Sequence, residues 1–145
     1  MNTGESKQRI LGIDYGTKRI GLSVSDPLGI IAQPYQSLEN NSLLINRLRE
    51  IIIDKNIKTV VIGLPLNLKG KDSEKTREVK EFIDTLKKEL EIEIIEWDER
   101  FTTSIAQQTM IDMGTKRKER QKKDGRIDSM SAAIMLQSFL DSKRN

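Results

Sequence analysis

The spacing of apolar residues along the chain alternates between strand and helix periodicity. Residues 9–15 (RILGIDY) form an apolar run, and residues 20–26 (IGLSVSD) alternate apolar with small or polar side chains. These two segments predict a β-hairpin, with residues 16–19 as its turn. A third, weaker strand is predicted around residues 32–38. The chain is therefore expected to begin with strands.

The next part of the chain is predicted to alternate helix with buried strand. Apolar positions at helical spacing predict a helix over residues 42–55, with Ser42 as its N-cap. Residues 58–64 (KTVVIGL) have the β-branched density of a buried strand, and the preceding helix favours a parallel crossover. A second helix over residues 73–90 and another buried strand over residues 92–97 follow.

Two further helices are predicted towards the C-terminus. Thr102 or Thr103 can cap a helix that runs to about Met113, with Gly114 as its C-terminal stop. Residues 127–140 show a helical pattern with small residues that permit close packing against a sheet. With 145 residues, the pattern predicts a single α/β domain over residues 1–145, with a flexible N-terminus over the first eight.

Composition excludes several kinds of chemistry. The chain contains no cysteine and no histidine. Disulfides, thiolate or imidazole metal sites, thiol nucleophiles and the serine triad are therefore excluded, so catalysis must use carboxylates, hydroxyls, amines or a bound ion. No apolar run approaches the roughly 20 residues that span a bilayer. We therefore expect a cytoplasmic protein with no membrane partner.

The positive charge is concentrated in one segment. Lysine and arginine number 25 against 22 acidic residues, yet residues 115–126 alone carry a net charge of +5. Such a segment attracts polyanions, above all nucleic-acid backbones, although a solvated mobile loop has the same composition. Its basic residues are Lys116, Arg117, Lys118, Arg120, Lys122, Lys123 and Arg126.

Four carboxylates call for an explanation. Asp14 lies inside an apolar strand, where a carboxylate is costly to bury unless it is paired, hydrogen-bonded or bound to a cation. Bonding to the following glycine turn is the structural alternative. Asp98 and Glu99 end another strand, and alternation sends their side chains to opposite faces, so only one is expected to join a site. Asp128 opens the last helix, where it can be an N-cap or a partner for the helix dipole.

If the fold brings Asp14, Glu99 and Asp128 together, the set suits a hard cation such as Mg²⁺ or Mn²⁺. Paired ions can stabilise the attacking and leaving oxygens of a phosphodiester displacement. Polar residues near these carboxylates are candidates for contact with substrate phosphate, although turns and caps alone explain such residues. These candidates are Thr17, Lys18, Arg19, Asn67, Arg100, Thr102 and Thr103.

Four motifs together resemble the YqgF (RuvX) family. They are residues 13–21 (IDYGTKRIG), 63–67 (GLPLN), 97–103 (WDERFTT) and 127–133 (IDSMSAA), in family order from about Arg9 to Leu140. The resemblance implies a ribonuclease H-like fold related to the resolvase RuvC. That fold is a mixed five-stranded sheet with an antiparallel first hairpin and helices on both faces. Ser131 stands where alanine is more usual.

The resemblance also implies a function. Family members look like Mg²⁺- or Mn²⁺-dependent nucleases that mature the 5′ end of pre-16S ribosomal RNA, with resolution of branched DNA as the older proposal. It carries over Asp14, Glu99 and Asp128 as the acidic set and selects Glu99 over Asp98. The segment 116–126 matches a basic, often mobile family segment. Precursor ribosomal RNA or branched DNA, and the assembling ribosome, are the implied partners of a monomer or homodimer.

Two other classes of function remain open at this point. Asp-x-Gly-Thr, here Asp14 to Thr17, also opens the phosphate-binding hairpin of actin-like and sugar-kinase domains. Those enzymes close two domains around a nucleotide, and 145 residues leave no room for the second. A non-catalytic RNA-binding assembly factor, which keeps an acidic pocket for stability, is the other alternative.

Overall fold

Five strands rich in aliphatic residues form one mixed sheet in the computed structural model, which describes residues 8–66, 73–102, 104–114 and 126–144. The sheet order is β3-β2-β1-β4-β5, with β2 antiparallel to β1 and β3, and with β4 parallel to β1 and β5. Each predicted strand is confirmed to within one residue at either end. The strands are β1 (Arg9–Asp14), β2 (Arg19–Ser25), β3 (Ala32–Glu39), β4 (Ile57–Leu64) and β5 (Glu93–Asp98).

Helices cover both faces of the sheet, as expected for a ribonuclease H-like fold. Among the described residues, the α-helices are α1 (Leu44–Asp54), α2 (Glu74–Glu89), α3 (Ser104–Gly114) and α4 (Arg126–Lys143). On one face, apolar side chains of α1 and α2 pack with alternate residues of β1, β2 and β4. On the other face, α4 packs against Ala32 and Val61, and α3 lies against α4. Alternation along each strand thus divides the core into two layers.

The helix starts show where local sequence was a good guide. The helix predicted over residues 73–90 begins after Ser73, which caps α2, because its Oγ accepts a hydrogen bond from the Thr76 N–H at 3.2 Å. The prediction that Ser42 caps α1 is wrong, since the helix follows Leu43 and has no side-chain cap. Instead, Asn41 Oδ1 accepts from the Leu43 N–H at 3.0 Å. This Asx-type bond two residues ahead shapes the turn before the helix.

The C-terminal helices differ from expectation at their ends. Thr102 follows a 3-10 helix over Glu99–Phe101, and its N–H donates a hydrogen bond to the Glu99 carbonyl oxygen. Thr103 lies outside the described residues. Gly114 is the last residue of α3 rather than the residue after it. Arg126, predicted to end the basic loop, begins α4. Within the described ranges, no helix is long and apolar enough to cross a membrane.

Several predictions fall outside the described residues. They concern the flexible N-terminus, where residues 1–7 are not described, and the loop over residues 67–72, which includes Asn67. They also concern residues 115–125, which carry Lys116, Arg117, Lys118, Arg120, Lys122 and Lys123.

Candidate active site

Asp14 and Glu99 approach one another because three parallel strands end at the same edge of the sheet. Asp14 ends β1, and Glu99 follows directly after β5, with β4 between them. Neighbouring strands lie about 4.8 Å apart, so the two backbones are separated by roughly 10 Å, a gap that two side chains can span. The register pairs Gly63 of β4 with Trp97 of β5, which places Gly63 between the two carboxylates.

Gly63 makes room for the Glu99 side chain. A Cβ at position 63 would overlap the Glu99 carboxylate. The carboxylate therefore lies over the backbone of β4, on the side of Asp14. Because side chains alternate along a strand, Asp14 and Gly63 share the α4 face of the sheet with Val61, whereas Ile13 and Ile62 face α1 and α2. Asp14 of the first motif and Gly63 of β4 therefore lie on the same face and at the same edge of the sheet.

Burial dominates the electrostatics of this pair. Burial, together with the negative charges of Glu99 and Asp128 and against the positive charge of Lys75, raises the pKa of Asp14 from 3.8 to about 6. Burial also raises the pKa of Glu99, against the effect of Lys75 and with a contribution from the charge of Asp98. A buried carboxylate pair with this excess of negative charge favours a cation or a shared proton.

Asp98 and Glu99 have different surroundings, because Asp98 ends β5 whereas Glu99 begins the 3-10 helix that follows it. Asp98 accepts hydrogen bonds from the Arg100 N–H at 3.0 Å and from the Arg100 guanidinium at 2.6 to 3.0 Å. The Arg100 side chain thereby holds the pKa of Asp98 below its usual range. Asp98 caps the 3-10 helix and Glu99 faces the site. The Arg100 guanidinium is paired with Asp98 and does not itself cap a helix.

Asp128 lies in the first turn of α4, whereas Asp14 and Glu99 lie at the ends of strands. As the third residue of the helix it is not the N-cap. Its Oδ2 accepts a hydrogen bond from Arg19 Nε at 3.0 Å and another from Ser37 Oγ at 3.4 Å. The start of α4 can lie this close to β2 because position 21 is glycine, where a Cβ would overlap the Asp128 carbonyl oxygen. Exposed pairs of this kind contribute about 0.2–1 kcal/mol.

The donor set of Asp14 and Glu99 fits a divalent cation. Mg²⁺ in proteins is typically bound by one or two carboxylates together with waters and substrate phosphates, and Asp14 and Glu99 supply two partly buried carboxylates. In the described part of the chain, no three acidic side chains lie close enough together to hold one ion. Asp128 is near the pair but is bonded to Arg19.

The hairpin turn between β1 and β2 lies beside Asp14, with Thr17, Lys18 and Arg19 exposed. Asn40 stabilises this turn, because its Nδ2 donates to the Gly16 carbonyl oxygen and its N–H donates to the Lys18 carbonyl oxygen, both at 2.9 Å. The turn thus presents polar and basic side chains at the edge where the carboxylates meet.

Sequence reasoning missed Lys75 and Ser37. Lys75 follows Ser73 on α2, and the neighbouring Thr76 donates a hydrogen bond to the Pro65 carbonyl oxygen at 2.6 Å. This bond fastens the start of α2 to the end of β4, which brings the Lys75 charge near both carboxylates. Only the position of Lys75 after a helix cap hinted at this, and nothing in the sequence pointed to Ser37.

A family model described as "RuvX: Holliday junction resolvase" matches residues 8–142. The chain belongs to the RuvX family. A RuvX-family relative from Sulfurihydrogenibium sp. (strain YO3AOP1) is 45% identical over 135 residues, which is 92% of this chain and 90% of the relative. Another, from Acetivibrio thermocellus, is 41% identical over 139 residues, covering 93% and 96%. Both are named "Putative pre-16S rRNA nuclease".

Solved structures similar to this RuvX chain are resolvases. Thermus thermophilus RuvC in complex with a Holliday junction substrate has a TM-score of 0.60 at 9% identity, covering 95% of this chain and 96% of RuvC. The fowlpox virus resolvase bound to junction DNA has a TM-score of 0.58 at 12% identity, covering 95% and 100%. At such identities the likeness shows the fold alone. The predicted family, the ribonuclease H-like fold and the enzyme class, a phosphodiester-cleaving nuclease, are confirmed.

Proposed function

We propose that this RuvX-family protein is a divalent-metal-dependent endonuclease that processes the 5′ end of pre-16S ribosomal RNA. The observation that carries the chemistry is the partly buried Asp14 and Glu99 pair, in which burial and the charge of Glu99 raise the pKa of Asp14 to about 6. Relatives that share 41–45% of residues over nearly the whole chain supply the substrate, since their printed name is that of a pre-16S rRNA nuclease.

In this proposal Asp14, Glu99 and Asp128 are the catalytic and metal-binding residues. Bound Mg²⁺ or Mn²⁺ would polarise the scissile phosphate and lower the pKa of an attacking water. The chain's own contribution is to hold Asp14 and Glu99 side by side in a partly desolvated edge of the sheet. The Lys75 charge limits the repulsion between these two carboxylates when no cation is bound.

Basic and polar residues around the carboxylates would position the RNA backbone. Phosphate contacts orient a nucleic acid, and the exposed hairpin turn presents such contacts beside Asp14. The charge of the basic segment adds attraction that does not depend on base sequence. The proposed contact residues are Thr17, Lys18, Arg19, Asn67, Arg100, Thr102, Thr103, Lys116, Arg117, Lys118, Arg120, Lys122, Lys123 and Arg126.

Precursor ribosomal RNA as substrate also determines the proposed location and partner. The protein would act in the cytoplasm, on RNA within the assembling ribosome. One active site suffices for cutting a single RNA strand, so a monomer meets the requirement, and a homodimer would not contradict it.

Resolution of Holliday junctions is the second candidate, because the matching family model is described in those words and the fold is that of RuvC. A resolvase must cut two strands in a paired manner, so this candidate requires two active sites and therefore a dimer. The oligomeric state and the substrate consequently test the two candidates together.

A side-by-side cleavage assay distinguishes them. Wild type, Asp14→Asn and the control Asp84→Asn, an exposed carboxylate on α2, are incubated with Mg²⁺ or Mn²⁺ and either a pre-16S 5′-leader RNA or a four-way DNA junction. We expect wild type and Asp84→Asn to cut the RNA and Asp14→Asn to cut nothing. Cutting of the junction alone would favour the resolvase. Cutting of neither, even within a pre-ribosomal particle, would favour a non-catalytic assembly factor.

A further inference from the structure

Arg19 and Asp128 form an ion pair at the edge of the proposed active site. Arg19 is the first residue of β2, and its Nε donates to Asp128 Oδ2 across 3.0 Å. Ser37 of β3 donates to the same oxygen from 3.4 Å. Arg19 of β2 and Ser37 of β3 therefore both donate hydrogen bonds to the same oxygen, Asp128 Oδ2.

This arrangement separates Asp128 from the other two carboxylates. The charge of Glu99 affects Asp14 more strongly than that of Asp128, and among the described residues no three carboxylates form a group that could hold one ion. An Oδ2 that is already occupied by an arginine is a poor metal ligand, because the guanidinium would have to be displaced. Asp128, the third carboxylate of the proposed set, is thus near Asp14 and Glu99 but is held by Arg19.

We propose that Arg19 restrains Asp128 until a phosphate of the substrate backbone takes over the guanidinium, which releases Asp128 to complete the metal site. This inference rests on the proposed function and assigns Arg19 as a positioning residue. Binding of RNA and full binding of metal would then be coupled, so substrate favours the complete three-carboxylate site.

The chemistry of the pair suits such an exchange. The contact joins one guanidinium nitrogen to one carboxylate oxygen, whereas a phosphate accepts two parallel N–H bonds from arginine. About half of the Arg19 side chain (54%) and a third of the Asp128 side chain (31%) are exposed, so the pair is screened by water and open to a competing anion. Register places Gly21, two residues after Arg19, opposite Asp14, which brings the exchanged phosphate next to the carboxylates.

Metal affinity without RNA is the first test. Mn²⁺ binding is followed by electron paramagnetic resonance for wild type and Arg19→Gln, both checked for unchanged thermal unfolding. We expect Arg19→Gln to bind Mn²⁺ about two- to fivefold more tightly, as release of an exposed ion pair predicts. Ser37→Ala, which removes no charge, should act in the same direction with a smaller effect. Unchanged or weaker Mn²⁺ binding in Arg19→Gln would overturn the proposal.

Two controls separate release of Asp128 from a general charge effect. Lys18→Gln removes the neighbouring positive charge but leaves the pair in place, so it should tighten Mn²⁺ binding less than Arg19→Gln does. In a double-mutant cycle with Asp128→Asn, the effect of Arg19→Gln should largely vanish. Equal tightening by Lys18→Gln, or full persistence of the effect in the Asp128→Asn background, would contradict the proposal.

The exchange itself is visible by NMR. In the presence of EDTA, where metal-dependent cleavage cannot proceed, the Arg19 Nε–H resonance of ¹⁵N-labelled protein is followed while the 5′-leader RNA is added. We expect this resonance to move away from its position in the ion pair, whereas in Asp128→Asn it has already moved before RNA is added. An Nε–H resonance that stays unchanged when RNA binds would refute the exchange.

These readouts do not depend on turnover. If wild type cleaves neither nucleic acid, the proposed function fails whatever the Mn²⁺ affinities show. If wild type cleaves RNA and Arg19→Gln binds Mn²⁺ no more tightly, the proposed function stands and the Arg19 restraint is wrong.

Discussion

At the scale of single residues, the edge that carries the proposed active site depends on one partly buried carboxylate and on one absent side chain. Asp14 is partly buried at the end of β1, and glycine at position 63 leaves the space that the Glu99 carboxylate occupies. Both features were open to partial prediction. The carboxylate of Asp14 in an apolar strand indicates a special environment. Only the register between β4 and β5 shows that Gly63 is the glycine that makes room for Glu99.

Asp14→Asn should stabilise the metal-free protein at neutral pH. The folded protein binds the Asp14 proton more tightly than the unfolded chain does, because burial raises the pKa from 3.8 to about 6. Ionised Asp14 therefore costs stability as pH rises through this window, and the full cost is present above it. In EDTA, we expect Asp14→Asn to raise the free energy of unfolding in urea by about 1–3 kcal/mol at pH 7.5.

The gain should disappear below about pH 4, where Asp14 is protonated in both the folded and the unfolded state. Asp84→Asn, on the exposed surface of α2, serves as the matched control and should show no such pH dependence. A destabilised Asp14→Asn at pH 7.5, or a gain that is equal at both pH values, would contradict burial of a strained carboxylate.

Gly63→Ala should impair cleavage more than stability. The added methyl group meets the flexible end of Glu99, which can move aside at a cost of about 1 kcal/mol, but the displaced carboxylate no longer lies beside Asp14. We expect cleavage to fall about 10- to 100-fold, as for small misplacements of catalytic groups. In a Glu99→Ala background, thermal unfolding should show no further cost of Gly63→Ala. Full activity of Gly63→Ala would show that the Glu99 position is not critical.

At the scale of elements, the start of α2 links the core to the site. Ser73 caps the helix, and the buried Thr76 hydroxyl bonds the Pro65 carbonyl oxygen, so the cap geometry also determines where Lys75 lies. The cap predicted at Ser42 does not form, whereas Ser73, for which no cap was predicted, caps its helix. Before α1, the Asn41 side chain accepts from the Leu43 N–H, so an Asx-type turn leads into the helix.

Lys75→Gln should raise the pKa of Asp14 above its wild-type value, since Lys75 is the positive charge that favours the ionised form of both carboxylates. Titration of the Asp14 carboxyl carbon by NMR in EDTA measures this directly. Lys87→Gln, which removes a charge from the far end of the same helix, should leave the Asp14 pKa at its wild-type value. A lowered pKa in Lys75→Gln would contradict the placement of Lys75 near Asp14.

At the scale of the whole molecule, charge is distributed unevenly along the chain. The net charge of +3 hides a segment of +5 at residues 115–126 and a remainder that is slightly acidic. Phosphate neutralisation makes nucleic-acid affinity fall with salt, and each lost contact reduces the slope of log K against log salt concentration by about 0.7–0.9. We therefore expect residues 115–126 to account for most of the salt dependence of nucleic-acid binding.

Replacing Lys116, Lys118 and Lys122 together by glutamine should reduce this slope by up to about 2 to 3 and weaken binding of the 5′-leader RNA and the DNA junction alike. Fluorescence anisotropy between low and physiological salt in EDTA measures both quantities. The control triple variant, with Lys58, Lys87 and Lys88 replaced by glutamine, removes the same charge from exposed positions outside the basic segment. Equal slopes for the two triple variants would show that only the total charge matters.

The sequence by itself determined the strand boundaries, most of the helices, the α/β class and, through four motifs in order, the family with its carboxylates. These features depend on periodicity and turn residues within short stretches, so neighbours along the chain suffice to predict them. Its spacing also predicted that Asp98 and Glu99 point to opposite faces, because alternation is a local property of a strand.

Only the tertiary structure determined which side chains these carboxylates contact. It placed Asp14 and Glu99 together over Gly63, directed Asp98 to Arg100, and bonded Asp128 to Arg19, which is 109 residues away in sequence. Such contacts arise where strands end at a common edge and where a helix lies against glycine, and both depend on packing of the whole sheet. Local patterns therefore identify the candidate ligands, while packing decides which of them meet and which one an arginine holds.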